Sequence, residues 1–131
     1  VHGFVDDVRP FVARAAVFVA PLRSGSGTKL KVLNTMSQAR PVVATSIAAE
    51  GIEVLAGRDL MIADEPETFG QAVLYLFTHP DIADKMGQSA RNVILKTYDW
   101  HVLADPMYNL YDRIAGQQST ALKFRTVLTG I

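Results

Sequence analysis

Residues 16–45, AVFVAPLRSGSGTKLKVLNTMSQARPVVAT, decide the fold. Two continuous apolar runs, Ala16 to Ala20 and Pro41 to Thr45, read as strands covered on both faces of a parallel sheet. Pro21 stops the first run, because proline cannot extend a central strand. The glycine- and serine-rich loop Arg23-Ser24-Gly25-Ser26-Gly27 then leads into Thr28, a residue type that caps helices, and into an apolar face of Leu30, Val32, Leu33 and Met36. Pro41 disfavours helical geometry at Arg40, so the helix ends there. Strand, helix and strand in this order form a parallel crossover unit.

Working outward, Gly3-Phe4-Val5 reads as the end of a strand. Val8, Phe11, Val12 and Ala15 follow at helical spacing, with Asp7 as the expected cap and Pro10 in the first turn. Past the second strand, a loop around Glu50-Gly51 and Gly57 precedes a third apolar run, Leu60 to Ala63. The pattern then becomes wholly helical. One helix starts at Pro66 with Phe69, Ala72, Val73, Leu76 and Phe77 in a stripe, and a second starts near Asp81 with Ile82, Met86, Ala90, Val93 and Ile94 on one side. Asp99 caps a third, carrying Trp100, Leu103, Met107, Leu110, Tyr111 and Ile114, with a kink expected at Pro106. The reading is therefore α/β, a parallel sheet with helices on both faces and a helical C-terminal extension. Residues 1–116 form one domain, and 117–131 form a tail without a clean period. Val17, Phe18, Val19, Val42, Val43 and Ile62 are expected to be buried in neighbouring parallel strands.

Composition narrows the functional classes. The 131 residues are 49% apolar, enough for one core, and 13 Lys plus Arg balance 13 Asp plus Glu. A net charge of zero removes the cationic field that nucleic-acid and anionic-membrane binders rely on, so neither is a default partner, and membrane contact by a longer parent protein stays open. With no cysteine there is no disulfide, thiolate metal site or thiol nucleophile. The apolar stretch Ala15 to Leu22 is too short to cross a bilayer. The sequence opens on Val1 without a basic segment ahead of an apolar one, so the expectation is a cytoplasmic protein without a signal peptide, and a piece of something longer.

Chemistry concentrates in SGSGTKLKVLN, residues 24–34. A strand, a glycine turn and a helix start present free amides and a positive helix end to an anion, and phosphate is the natural guest. Gly25 and Gly27 let the backbone approach closely, Ser26 and Thr28 offer hydroxyls, and Lys29 and Lys31 bring charge. The spacing fits neither the Walker loop nor the dinucleotide fingerprint, whose third glycine is replaced by Leu30. A simple turn joining strand to helix is the alternative. Asn34, seven residues after Gly27, lies close to the same side of the helix and either reaches a ligand there or is an exposed polar residue. Asp6 and Asp7 divide in the same way between capping and binding. The three histidines show no metal-ligand spacing, and no acid/base couple of carboxylates can be assigned.

The order GFVDD, ARAAVFVAPLRSGSGTKLKVLNTMSQARPVVATSIAAEGI, GRDLMIADEPETFGQAV and TYDW resembles the C-terminal, donor-binding domain of the GT-B glycosyltransferases called glycosyl transferases group 1. The resemblance covers roughly residues 3 to 114 and is most specific from GSGTKLKVL to PVVATS. It implies a Rossmann-like fold and a nucleotide-sugar donor as substrate, with no further cofactor and no metal. It also implies transfer with retention of anomeric configuration and a separate acceptor-binding domain upstream of Val1, so the chain alone is expected to be inactive. By the same resemblance Gly27 and Thr28 offer amides to the pyrophosphate, and Val5 and Asp7 lie near the nucleobase. Ser26 and Asn34 occupy the family's two glutamate positions, which puts Ser26 at the catalytic position and Asn34 at the ribose. Ala39 stands where glycine is common. The alternative function is a nucleotide- or anion-binding regulatory module without transfer chemistry, and a third reading is a domain whose loop binds nothing.

Overall fold

The computed structural model describes residues 3–115. In chain order these form helix α1 (Arg9–Arg14), strand β1 (Phe18–Ala20), α2 (Leu30–Ser37), β2 (Val42–Ala44), α3 (Ser46–Ala49), β3 (Met61–Ile62), α4 (Pro66–Thr78) and α5 (Pro80–Val93). A π-helical segment (Ile94–Tyr98) and α6 (Trp100–Ala115) complete the order. The chain divides into two compact units with the boundary between Leu95 and Lys96. The residues of the expected tail lie outside those described.

In the first unit the strands form one parallel sheet in the order β1-β2-β3. Phe18, Val19 and Ala20 of β1 pair with Val42, Val43 and Ala44 of β2, and on the other side of β2 Val43 pairs with Met61 and Ala44 with Ile62. Residues paired across a parallel sheet share a face, so Val43 and Met61 point one way and Val42 and Ala44 the other. Val43 packs with Leu76 of α4 and with Ala83 and Met86 of α5, and Met61, Phe69, Ala72 and Val73 close around them. Val42 and Ala44 are equally inaccessible on the opposite face, and α2 and α3 are also in contact with β2. The fold is thus the expected α/β arrangement, centred on β2.

The burial expected of every strand residue holds at β2 but not at the edges. Val17 and Phe18 are half-buried, and Val19 is 46% and Ile62 39% exposed. Continuous apolar runs assume a neighbour on each side, whereas β1 and β3 each pair only with β2 among the described residues. Val19 and Ile62 therefore sit on edge strands, beyond the helical cover. Gly3 to Val5 forms no strand, and Phe4 is 94% exposed.

Helix starts also differ in detail. Val8, not Asp7, is the N-cap of α1, yet Asp7 Oδ1 accepts the Arg9 amide at 2.9 Å and so serves the same first turn. Lys29, not Thr28, precedes α2, and no side chain caps that helix. The short helix α3 lies where a loop was expected. Thr45 caps it by accepting the Ala48 amide at 3.2 Å, and the same hydroxyl donates to the Leu22 carbonyl at 2.7 Å, joining the C-terminal ends of β1 and β2.

Besides the packing of Ala83 and Met86 and a bond from the Arg91 guanidinium to the Ser37 carbonyl at 2.8 Å, two contacts hold α5 to the rest of its unit. Gly87 lies against the backbone of Ala39 and Arg40, and a Cβ at this position would stand 2.1 Å from the Ala39 carbonyl oxygen. Ala39 follows the end of α2 with φ of 55°, the left-handed region that favours glycine. The second contact centres on Asp59, which is fully buried and accepts from the Leu55 amide at 2.9 Å, twice from the Arg58 guanidinium at 2.8 Å, and from the Ser89 hydroxyl. Hydrogen bonds from Arg58 foremost, then from Ser89 and Leu55, outweigh burial and hold its carboxyl at about 2.

In the second unit, the Asp99 carboxylate accepts the His101 amide at 2.9 Å as expected of a cap, and α6 runs on through Pro106 as a single helix. Its apolar residues are open, from Trp100 at 81% to Ile114 at 74%.

These contacts yield two expectations. Gly87→Ala should cost about 3 kcal/mol, because backbone faces the new methyl and α5 must move. Ala39→Gly should instead gain about 1 kcal/mol by relieving the left-handed alanine. Urea denaturation of both variants measures the opposite signs. Asp59 titrates lower in the folded than in the unfolded chain, so its contribution is complete above about pH 4 and is lost as the pH falls toward 2. A shift of this size corresponds to about 2 kcal/mol. Asp59→Asn should flatten that part of the stability-pH curve and lower stability at pH 7 by a similar amount.

Candidate functional site

The loop that begins at Pro21 leaves the C-terminal end of β1, the side on which open parallel sheets bind ligands. Its start is fixed by two bonds to β2's end: the Thr45 amide to the Ala20 carbonyl at 3.2 Å, and the Thr45 hydroxyl to Leu22. From there Arg23 to Thr28 is exposed. Gly25 and Gly27 have φ of 139° and 100°, and an added Cβ at either would meet nothing within 4 Å. Glycine is thus required here by backbone conformation, with the space beside it left open.

The amides of Ser24 through Thr28 have no partner among the described residues. They run into α2, whose N-terminal amides are likewise uncapped by a side chain. Unpaired amides at a helix start carry a partial positive charge. The Lys29 ammonium donates to the Gly25 carbonyl at 3.1 Å, closing the loop on itself. Loop, β1 and the first turn of α2 together line a groove of about 720 Å³, from Phe18 through Leu22 and from Gly25 through Val32.

Six of the residues singled out in the sequence, Gly25, Ser26, Gly27, Thr28, Lys29 and Lys31, meet in this groove. Val5, Asp7 and Asn34 do not line it. Asp7 forms a 3.0 Å ion pair with Arg9, whose guanidinium holds the carboxyl below its ordinary range. Asn34 is exposed on α2, and its backbone carbonyl accepts from Ser37 and Gln38. The apolar wall from Phe18 to Leu22, with Leu30 and Val32, was not recognised as part of the site. Its signal was the strand itself, which ends directly at the loop.

Charge is unevenly distributed along the chain. Between Val8 and Ala49 there is no Asp or Glu, while Arg9, Arg14, Arg23, Lys29, Lys31 and Arg40 fall within this segment. The glycine loop is therefore embedded in cationic sequence although the net charge is zero. Among the described residues no three His, Cys, Asp or Glu side chains come together as a metal cluster, and no helix is long and apolar enough to cross a membrane.

No solved structure matches this chain. The "Uncharacterized 44.6 kDa protein in cps region" of Klebsiella pneumoniae is 30% identical over 83 residues, which are 63% of this chain and 21% of that protein. The chain thus spans about a fifth of that relative's length. The Glycosyl transferases group 1 family matches residues 1–79, a segment containing the whole parallel sheet, the glycine loop and α2. By that match the chain belongs to the Glycosyl transferases group 1 family.

Proposed function

We propose that this chain binds the nucleotide-sugar donor of a retaining glycosyltransferase at the groove formed by β1, the glycine loop and α2. The observation that carries this reading is the run of unpartnered amides from Ser24 to Thr28 leading into the uncapped start of α2, in a chain of this family. The donor's pyrophosphate docks on the amides of Gly27 and Thr28, and the apolar wall from Phe18 to Leu22 excludes water from one side.

The site's chemistry is electrostatic. Breaking the bond between sugar and diphosphate builds negative charge on the leaving oxygen, and amides and a helix N-terminus already aimed at it need no reorganisation. Lys29 and Lys31 add cationic charge on the same side. Ser26, at the position the family resemblance makes catalytic, offers a hydroxyl and no carboxylate. It orients the donor by hydrogen bonding and does not act as a base at neutral pH. The acceptor is held by a domain outside this chain, so the chain by itself binds the donor without transferring the sugar.

A second reading, a nucleotide- or anion-binding regulatory module, draws on one observation. Neither Ser26 nor Asn34 supplies the carboxylate expected at its position. Measuring transfer by the longer parent protein separates the two readings.

Asn34 gives the sharper test. At the ribose position a carboxylate accepts two charge-assisted bonds where the amide oxygen accepts neutral ones. Asn34→Glu should therefore tighten binding of the best nucleoside diphosphate by about tenfold, as measured by calorimetric titration. Equal affinities reject Asn34 as a ribose contact. If no nucleoside diphosphate binds the unaltered chain, the donor-binding reading fails.

A further inference from the structure

We infer that Lys29 is a positioning residue, a strut that sets the shape of the glycine loop before any anion arrives. The inference rests on the donor-binding reading for its functional meaning but on independent geometry for its structure. From Arg23 to Gly27 the loop receives one hydrogen bond among the described residues, and it is the one from the Lys29 ammonium to the Gly25 carbonyl. Two glycines with positive φ and no side chain make this segment costly to order, since glycine loses the most backbone freedom when fixed. The flanking anchors, Thr45 on Leu22 and the first turn of α2, lie outside the segment and leave its middle unsupported.

Lys29 is suited to the task by its place. It is the residue immediately before α2, its own carbonyl accepts the Val32 and Leu33 amides at 3.0 and 3.1 Å, and it is half-buried while Pro21 to Thr28 is exposed. Its stem is thus fixed by the helix, and its ammonium reaches back four residues to the loop. The contact neutralises a carbonyl dipole that would otherwise repel an anion near the amides, and it leaves those amides free. Lys31 is the internal comparison. It has the same charge and lies in the first turn of α2, but its side chain is exposed and makes no hydrogen bond among the described residues.

Nitrogen-15 relaxation of the Gly25, Ser26 and Gly27 amides reads the strut directly, with no ligand. Lys29→Met should drop their order parameters below about 0.6, the range of flexible backbone, whereas Lys29→Arg and Lys31→Met should keep the values of the unaltered chain. Titration with inorganic pyrophosphate reads the consequence. Lys29→Met should weaken binding about fivefold, and Lys29→Arg should restore it. The melting temperature should stay unchanged in all three. Order parameters in Lys29→Met equal to those of the unaltered chain overturn the inference, and so does an equal loss of order in Lys31→Met, which would assign the effect to charge alone. If pyrophosphate fails to bind the unaltered chain, the donor-binding reading falls, and the strut stands or falls on the relaxation data.

Discussion

Everything in the larger unit depends on hiding β2 completely. Val42, Val43 and Ala44 are inaccessible, so the backbone polar groups between them must find partners within the protein. They do so on both sides, with β1 and β3 in parallel register. Parallel pairing in turn demands crossovers, and these supply α2 and α3, while α4 and α5, which follow β3, cover the Val43 face. It also puts the C-terminal ends of β1 and β2 side by side. Thr45 then ties them, and the glycine loop leaves from a point that the core has already fixed. The site is thus a consequence of how one strand is buried.

Holding α5 requires different means, because the segment between α3 and β3 contains almost no ladder. Asp59 fills that role. A buried carboxylate is tolerable only when its oxygens are fully bonded, and here the partners come from Leu55 and Arg58 in the same loop and from Ser89 on α5. The ionised form carries the strength of this brace. Two residues earlier on α5, the close approach at Gly87 needs the absence of a side chain, and the chain turns away at Ala39 in a conformation that alanine adopts only under strain. Polar satisfaction at Ser89 and steric fit at Gly87 fix the same turn of the helix.

These particulars show what a sequence can disclose. Runs such as VFVA and PVVAT identify strands because only a sheet interior accepts continuous β-branched and aromatic residues, and α4 and α5 follow from their apolar spacing. The same runs cannot say which strand lies at an edge, since exposure depends on neighbours far away in sequence, and for that reason Val19 and Ile62 are more exposed than their runs imply. Helix α3 is a single turn, too short to display a period, and only Thr45 marks it. At Ala39 the reverse holds. The departure from a common glycine was legible, and the positive φ supplies its physical cause. Within the site, the glycine loop was legible from its residue types, whereas the bond from Lys29 to Gly25 depends on a side-chain conformation that no spacing encodes.

The distribution of charge links site and fold. A chain with zero net charge has no strong overall field, yet the acids of this one lie before Val8 and after Ala49. Within that interval the only formal charges are cationic, and Lys29 and Lys31 stand at the start of α2, where the helix dipole is already positive. Placing cations at a helix N-terminus opposes the dipole and destabilises an isolated helix, so helix formation alone does not account for two of them in one turn. An anion at the loop reverses the sign of that interaction. The arrangement is costly to the empty fold and favourable to the occupied one, and the lysine nearest the loop offsets part of that cost by bonding to the Gly25 carbonyl.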